Sequence, residues 1–215
     1  MTEIKAAAIS GSKWTTASQL VLLLAALLQT AILARILLPG DFGLVAITSV
    51  IIGWLTIYSE LGLSAAIIQR KETPSDVLSS LYLLNLFAAL LCGLATIASA
   101  SVLAKWYGQN SLQELLVCLS PAFILSAIGS QFRALNQKNL RFVLMAKIEI
   151  MAALLSMLTA LILAFNGFGV YSLILSTLVN IGTSSALNLA TGLQFHKPTL
   201  AFVPGKVGEF LHFGL

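Results

Sequence analysis

The chain of 215 residues is 58% hydrophobic and only 9% charged, with a mean hydropathy of +0.95. Because an ordinary soluble domain carries about 25% charged residues, this composition argues against a soluble fold and indicates a membrane protein. The net charge of +4 does not indicate nucleic-acid binding, since the basic residues are dispersed and no aromatic-basic cluster accompanies them.

Six apolar stretches, each able to cross a hydrocarbon core of about 30 Å as a helix, follow one another along the chain. They cover residues 14–38, 42–62, 77–103, 112–130, 142–165 and 168–192. The predicted fold class is therefore an all-α polytopic membrane protein built as a six-transmembrane-helix bundle. Residues 1–13 are predicted to form a cytoplasmic or interfacial segment, and residues 193–215 a cytoplasmic linker that ends in the start of a seventh helix.

The basic residues are distributed unevenly between the two sides of this arrangement. Ten of the twelve Lys and Arg residues fall on one side, and only Arg35 and Lys105 fall on the other. Cytoplasmic loops carry an excess of basic residues, so both ends of the chain are predicted to be cytoplasmic. Anionic membrane lipids are the expected partners of these cations.

Local signals predict where helices begin and bend. Thr73 followed by Pro74, Ser75 and Asp76 is typical of a helix start, with Thr73 as the cap and Pro74 at the first helical position. Pro121 lacks a backbone N–H, so it should kink the fourth span. Small residues recur every four positions in two spans, which predicts close helix packing. These are Ala26, Thr30 and Ala34 in the first span, and Ala152, Ser156, Ala160 and Ala164 in the fifth.

Polar side chains follow one face of the sixth span. They are Thr177, Asn180, Ser184, Asn188 and Thr191, with an average spacing close to one helical turn. Such a face must contact neighbouring helices or a water-filled cavity, and the sequence leaves both interpretations open. Gln29 in the first span and Asn85 in the third also lie within predicted spans, which together favours a transport function.

Charged side chains near the spans offer further candidates, because ionisable groups in a membrane are costly and usually paired or functional. Glu60 lies near the cytoplasmic end of the second span, and Glu149 lies about two turns into the fifth. Lys147 is two positions from Glu149 and so lies on a different face. Either acid could pair with Arg133 or Arg141, or could take part in substrate binding or proton coupling.

Residues 131–142 combine aromatic, aliphatic and basic side chains without an acid. We interpret this segment as an interfacial elbow, and its Arg133 and Arg141 as possible receptors for an anionic phosphate. Catalytic and metal-binding motifs are missing from the sequence, as are the signatures of ATP binding. Cys92 and Cys118 are expected to be small packed residues. We therefore predict no enzyme activity and no cofactor.

Several segments together resemble the bacterial polysaccharide exporters of the Wzx type, in the colanic-acid-exporter-like branch of the multidrug/oligosaccharidyl-lipid/polysaccharide transporter superfamily. They are residues 34–37, 41–44, 60–63, 67–72 and 131–138. The resemblance implies a flippase of the bacterial inner membrane that moves oligosaccharide repeat units linked to undecaprenyl diphosphate. Members have two bundles of six helices, so this chain would supply the N-terminal lobe and need a C-terminal half or a second chain.

Under this resemblance, the candidate residues divide into two groups. Candidates for substrate binding are Arg70, Arg133, Arg141, Lys147, Gln29, Asn85, Asn180, Ser184 and Asn188, and candidates for charge pairing or coupling are Glu60 and Glu149. One alternative is a drug/cation antiporter of the same superfamily, which would need acids deep in the bundle. The other alternative is a membrane-embedded polysaccharide ligase or polymerase. Large external catalytic loops would favour that alternative, and the sequence predicts none.

Overall fold

The computed structural model describes residues 2–60, 74–196 and 198, and the regular structure in this part of the chain is entirely helical. In chain order the helices are α1 (Thr2–Leu33), α2 (Pro39–Glu60), α3 (Ser75–Tyr107), α4 (Asn110–Leu119), α5 (Pro121–Lys138), α6 (Phe142–Phe165) and α7 (Tyr171–Gly192). Only Ser120 separates α4 from α5, so these two helices form one span. The prediction of six helical spans is confirmed.

Length and composition identify this chain as a multi-pass membrane protein. Among the described residues, four spans are long and apolar enough to cross a membrane: α3, the combined α4–α5 unit, α6 and α7. Residues Ser18–Leu33 of α1 form a shorter apolar helical stretch. Many large apolar side chains of these helices are exposed in the isolated chain, as expected for surfaces that contact lipid.

Pro121 lies where the fourth span divides into two helices. The Ser120 backbone N–H donates to the carbonyls of Leu116 and Val117, whereas Pro121 has no N–H and begins α5. Ser120 itself keeps right-handed helical dihedral angles. The interruption of regular helix is therefore confined to this one residue, and the kink expected at Pro121 stays a prediction.

Three predicted boundaries differ from the structure. Helix α1 already begins at Thr2, well before residue 14. Helix α3 begins at Ser75, so Pro74 occupies the cap position rather than the first helical position, and Thr73 lies outside the described residues. Helix α5 continues to Lys138, so residues 131–138 of the predicted interfacial elbow belong to a helix, and its apolar residues Phe132, Ala134 and Leu135 are buried in the bundle.

Helix α7 is the centre of the arrangement. It packs along α5 on one side and along α6 on the other, while α5 and α6 touch each other only sparingly. Helix α1 packs on α6, and α3 packs on both α4 and α5. We call the end of the bundle that holds the α5–α6 turn the basic end. The turns between α1 and α2, α3 and α4, and α6 and α7 lie at the opposite end.

The small-residue ridge on α6 packs against its neighbours, as predicted. Its four members, Ala152, Ser156, Ala160 and Ala164, are all buried. At the opposite end, Ala160 and Ala164 pack with Leu33 of α1 and with Leu37 just after it. This apolar cluster closes the bundle at that end.

The corresponding prediction for α1 was wrong. Ala26, Thr30 and Ala34 are exposed, and the buried residues of this region are instead Leu33 and Leu37. A ridge of small residues permits close packing but does not by itself provide a neighbour. The neighbour α6 lies against a different face of α1.

Glycine allows α5 and α7 to approach each other very closely. A Cβ atom on Gly129 of α5 would lie 2.4 Å from the Ser185 Cα atom of α7. A Cβ atom on Gly192 of α7 would lie 2.6 Å from the Phe132 ring. Neither distance is compatible with a larger residue, so both positions need glycine for the helices to keep this separation.

We expect Gly129→Ala to destabilise the protein by about 1–3 kcal/mol, because the new methyl group would overlap the α7 backbone. Thermal unfolding in detergent measures this loss. Gly182→Ala is the matched control, since its Cβ atom would lie at an ordinary 3.7 Å from Leu125. Equal stability of the two variants would contradict the close α5–α7 contact.

Candidate functional site

An ion pair joins α5 and α6 near the basic end. The Arg133 Nη2 atom lies 2.8 Å from the Glu149 Oε1 atom, and this is the salt bridge found in the described part of the chain. The Arg133 side chain is 56% exposed and that of Glu149 is 25% exposed. The expectation that Glu149 pairs with Arg133 or Arg141 is therefore confirmed for Arg133.

Both partners lie within helices rather than in a loop. Arg133 precedes the end of α5 at Lys138 by about 8 Å along the axis, and Glu149 lies about 10 Å into α6 from Phe142. Lys147 is exposed and makes no ion pair with Glu149, as its position on another helix face predicted. The two charged residues therefore lie along the helices and not in the turn at the basic end.

The ion pair joins two helices that otherwise have few contacts with each other. Helix α7 packs against both α5 and α6, whereas α5 and α6 scarcely touch. The Arg133–Glu149 pair connects them directly. The candidate site is therefore the region where α5 and α6 flank α7, which we call the three-helix site.

The polar face of α7 divides into two parts. Towards the basic end, the Asn136 amide of α5 donates to Asn188 Oδ1 at 3.3 Å and to Thr191 Oγ1 at 3.1 Å. Asn188 is buried and donates in turn to the Ser184 carbonyl at 2.9 Å. This part of the polar face serves interhelical hydrogen bonding, one of the two interpretations that the sequence allowed.

The remaining part is less enclosed. Thr177, Asn180 and Ser184 are half-buried. The Thr177 hydroxyl donates to the Leu173 carbonyl of its own helix, and the Asn180 side chain makes no hydrogen bond within the described part of the chain. These residues supply polar groups to the middle of the bundle.

Two buried amide oxygens on α5 have no hydrogen-bond partner among the described residues: Gln131 Oε1 and Asn136 Oδ1. The Gln131 amide donates to the Leu78 carbonyl of α3 at 2.9 Å, so only its oxygen remains unpaired. Asn136 was missed as a site residue by the sequence analysis. A prediction that extended this helix to Lys138 would have identified Asn136, because Asn136 then lies on the same α7-facing side of α5 as Gly129.

Arg141 lies at the basic end, and its guanidinium makes two contacts with the end of α7 and the residues after it. Its Nη1 atom lies 3.5 Å from the Thr191 carbonyl oxygen of α7, and its guanidinium lies 5.3 Å from the centre of the Phe195 ring. These contacts hold the guanidinium in place but use few of its N–H donors. Arg141 thus connects the α5–α6 turn to the end of α7.

The other candidate amides lie apart from the ion pair. The Asn85 amide of α3 donates to Ser130 Oγ at 2.9 Å and to the Ala127 carbonyl at 3.4 Å, so Asn85 joins α3 to α5. Gln29 is half-buried on α1. Arg70 lies outside the described residues, and for Glu60 the description covers only the backbone, at the end of α2.

His196 lies just beyond α7 and is 6% exposed. Its Nε2 atom lies 3.3 Å from Ser79 Oγ in the first turns of α3. Burial lowers the pKa of His196, because the charged imidazolium is disfavoured away from water. This contact attaches the segment after α7 to α3 at the basic end.

An apolar groove of about 570 Å³ lies elsewhere, between α3 and α5, and contains no charged group. Its lining is formed by Leu83, Leu84, Leu86, Phe87, Leu90 and Ile124. Cys92 and Cys118 are free and partly buried, and the described residues include no group of side chains that could hold a metal ion.

Comparison with known proteins gives a family match over most of the chain. The sequence profile of the family described as "Polysaccharide biosynthesis protein" matches residues 32–215. The chain is 32% identical over 96% of its length to the lipopolysaccharide biosynthesis protein WzxC of Escherichia coli K12. It is 30% identical over 91% of its length to a Klebsiella pneumoniae protein described as an uncharacterized membrane protein in the cps region.

A third relative is the succinoglycan biosynthesis transport protein ExoT of Rhizobium meliloti, 29% identical over 69% of this chain. The chain spans only 42% of the length of WzxC, 40% of the Klebsiella protein and 30% of ExoT. No solved structure matches the chain.

We expect cysteine accessibility to vary along α7. Asn180→Cys and Ser184→Cys should react with a small water-soluble thiol reagent in a background without Cys92 and Cys118. Both positions lie on the polar face of α7 and are only half-buried. Ser176→Cys is the matched control and should be protected, since Ser176 is 2% exposed and packs beside α6. Equal protection of all three positions would leave helix packing as the sole role of this face.

Proposed function

The chain belongs to the polysaccharide biosynthesis protein family, and on that premise we propose that it forms one six-helix half of a flippase for lipid-linked oligosaccharides. The substrate is an oligosaccharide repeat unit carried on undecaprenyl diphosphate. The transporter moves it from the cytoplasmic to the periplasmic leaflet of the bacterial inner membrane, and the basic end of the bundle faces the cytoplasm.

The observation that carries this proposal is a half-exposed arginine inside a membrane bundle. Arg133 of α5 reaches Glu149 of α6 and keeps more than half of its side chain accessible. Charges are costly in a membrane, and those that persist usually face a cavity or pathway. A guanidinium is suited to a diphosphate, because its planar N–H donors can engage two phosphate oxygens together.

The length comparison supports a two-part transporter. The chain matches about two fifths of WzxC and of the Klebsiella protein. Alternating access requires two bundles that move around a central site, so the second bundle must come from a C-terminal half or from a second chain. The cluster of Leu33, Leu37, Ala160 and Ala164 closes this bundle at the opposite end, which suits a half that loads from the basic end.

The candidate residues take complementary roles in this proposal. Arg133 and Arg141 receive the diphosphate, while Lys147 adds positive charge near them and Arg70 adds a further cation to the cytoplasmic side. Polar side chains of the bundle contact sugar hydroxyls, while the prenyl chain stays among membrane lipids. These side chains are Gln29, Asn180 and Ser184, whereas the candidates Asn85 and Asn188 join neighbouring helices through hydrogen bonds. Glu60 and Glu149 act in charge pairing or coupling, with an ion gradient or polymer synthesis as the energy source.

Transport rather than catalysis is proposed because ExoT is described as a transport protein. The same flipping assays that test the substrate also separate this function from that of a drug/cation antiporter. An antiporter would move cationic drugs and leave lipid-linked oligosaccharides unmoved.

The orientation predicts opposite labelling of two matched asparagines. Asn139 and Asn166 are both exposed, and each side chain donates to the carbonyl four residues earlier at 2.7 Å. Replacement by cysteine therefore removes the same kind of contact at either end. We expect an impermeant thiol reagent to label Asn166→Cys from outside intact spheroplasts and Asn139→Cys only after lysis. The reverse pattern would overturn the orientation.

The phosphate role predicts graded effects at Arg133 and Arg141. Lys keeps the charge but loses the planar fork, so Arg→Lys should reduce flipping partly and Arg→Gln more strongly. The readout is accumulation of lipid-linked repeat units on the cytoplasmic leaflet, in cells that depend on the complete transporter containing this chain. Membrane abundance of each variant is measured in parallel as a control.

Normal flipping by the double Arg133→Gln, Arg141→Gln variant at unchanged abundance would refute the phosphate role. Reduced abundance with normal flipping per molecule would assign these arginines to insertion and orientation instead.

A further inference from the structure

The Arg133–Glu149 pair has an incomplete geometry. A single contact of 2.8 Å joins one guanidinium nitrogen to one carboxylate oxygen. A guanidinium offers five N–H donors and can bind a carboxylate through two parallel hydrogen bonds, so most of the donors of Arg133 remain free. Because the side chain is 56% exposed, those donors are accessible to a further anion.

From this geometry we propose that Glu149 is an internal competitor that occupies Arg133 when no substrate is bound and that the substrate diphosphate displaces. This inference rests on the proposed function, since it assigns a regulatory role to the same arginine. The carboxylate is a weaker partner than a diphosphate, which carries more charge and can engage the fork through two oxygens.

A purely structural role does not account for the Arg133–Glu149 ion pair. Half-exposed ion pairs contribute little to stability, because water screens them and both side chains lose conformational freedom. Helices α5 and α6 are already held together by their shared contacts with α7 and by the short turn between Lys138 and Phe142. The pair is therefore not needed to join these helices.

The position of Glu149 explains why displacement would be reversible. Glu149 lies between Ile148 and Ile150 on an apolar helix, with its side chain only 25% exposed. Without Arg133 its carboxylate would keep no cation partner among the described residues, which is unfavourable in a membrane. Re-formation of the pair would then help to release the diphosphate and would keep small anions off an empty site.

The test measures binding of undecaprenyl diphosphate to the 215-residue chain reconstituted in nanodiscs. We expect Glu149→Gln to raise the affinity about fivefold or more, since two unit charges about 4 Å apart contribute about 1 kcal/mol even in bulk water. Glu149→Asp keeps the charge on a shorter side chain and should give a smaller gain. Glu149→Asp also allows the affinity to be measured if the Glu149→Gln variant folds poorly.

Asp76→Asn is the control for a general change of charge. Asp76 is exposed in the first turn of α3 at the same end of the bundle, and it forms no ion pair with another described residue. Its replacement should leave the affinity unchanged. The double variant Arg133→Gln, Glu149→Gln should lose the gain seen in Glu149→Gln, because the competition acts through Arg133.

The outcomes separate this inference from the proposed function. If Arg133→Gln weakens binding while Glu149→Gln and Glu149→Asp leave it unchanged or weaken it, Arg133 holds the diphosphate and the competitor role is refuted. If neither Arg133→Gln nor Glu149→Gln changes binding, the phosphate role of Arg133 fails and the competitor role fails with it. An equal gain in Asp76→Asn would reduce the effect to general electrostatics and refute the specific pair.

Discussion

The close approach of α5 to α7 is the constraint on which the rest of the bundle depends. Helices in lipid gain little from the hydrophobic effect when they associate, so close packing and interhelical hydrogen bonds must hold them together. Gly129 against Ser185 and Gly192 against Phe132 provide that packing. The same approach brings Asn136 within hydrogen-bonding distance of α7. One contact thus sets the register of the central helix pair.

The register of α5 on α7 also determines the position of the Arg133–Glu149 ion pair. With α5 fixed on α7, Arg133 extends towards α6 and meets Glu149 at 2.8 Å. The opposite end of the bundle is instead closed by apolar clusters, including those of α1 with α6 and of α3 with α4. The bundle therefore has an interhelical ion pair near its basic end, and apolar clusters together with the exposed side chains of Arg35, Lys105 and Glu114 at its opposite end. Such asymmetry suits one half of a machine that takes up an amphipathic anion from one side of a membrane.

Buried amides contribute differently from the charged pair. Asn85 donates to the neighbouring helix α5, and Asn188 accepts from Asn136 of α5 while donating to Ser184 of its own helix, which stabilises the bundle and leaves few groups for a ligand. Asn180 and Arg133 keep unused donors, and so they are better placed to bind a polar substrate. The two groups could not be separated by residue type, since both contain asparagines on the same helix face. Burial and partner distances separate them.

The sequence by itself determined the membrane class, the six spans and the proline at which the fourth span is interrupted, because hydropathy, helix periodicity and proline chemistry are local properties. It left open whether Glu149 pairs with Arg133, with Arg141 or with neither. Tertiary structure decided the rest. Two similar ridges of small residues had different outcomes, since Ala152 and Ala160 of α6 are packed while Ala26 and Thr30 of α1 are exposed. Likewise, the extension of α5 to Lys138 buried Asn136 against α7 and placed the exposed side chain of Arg133 beside Glu149 of α6. Such contacts depend on which helix lies opposite in space, and one-dimensional spacing carries no information about that neighbour.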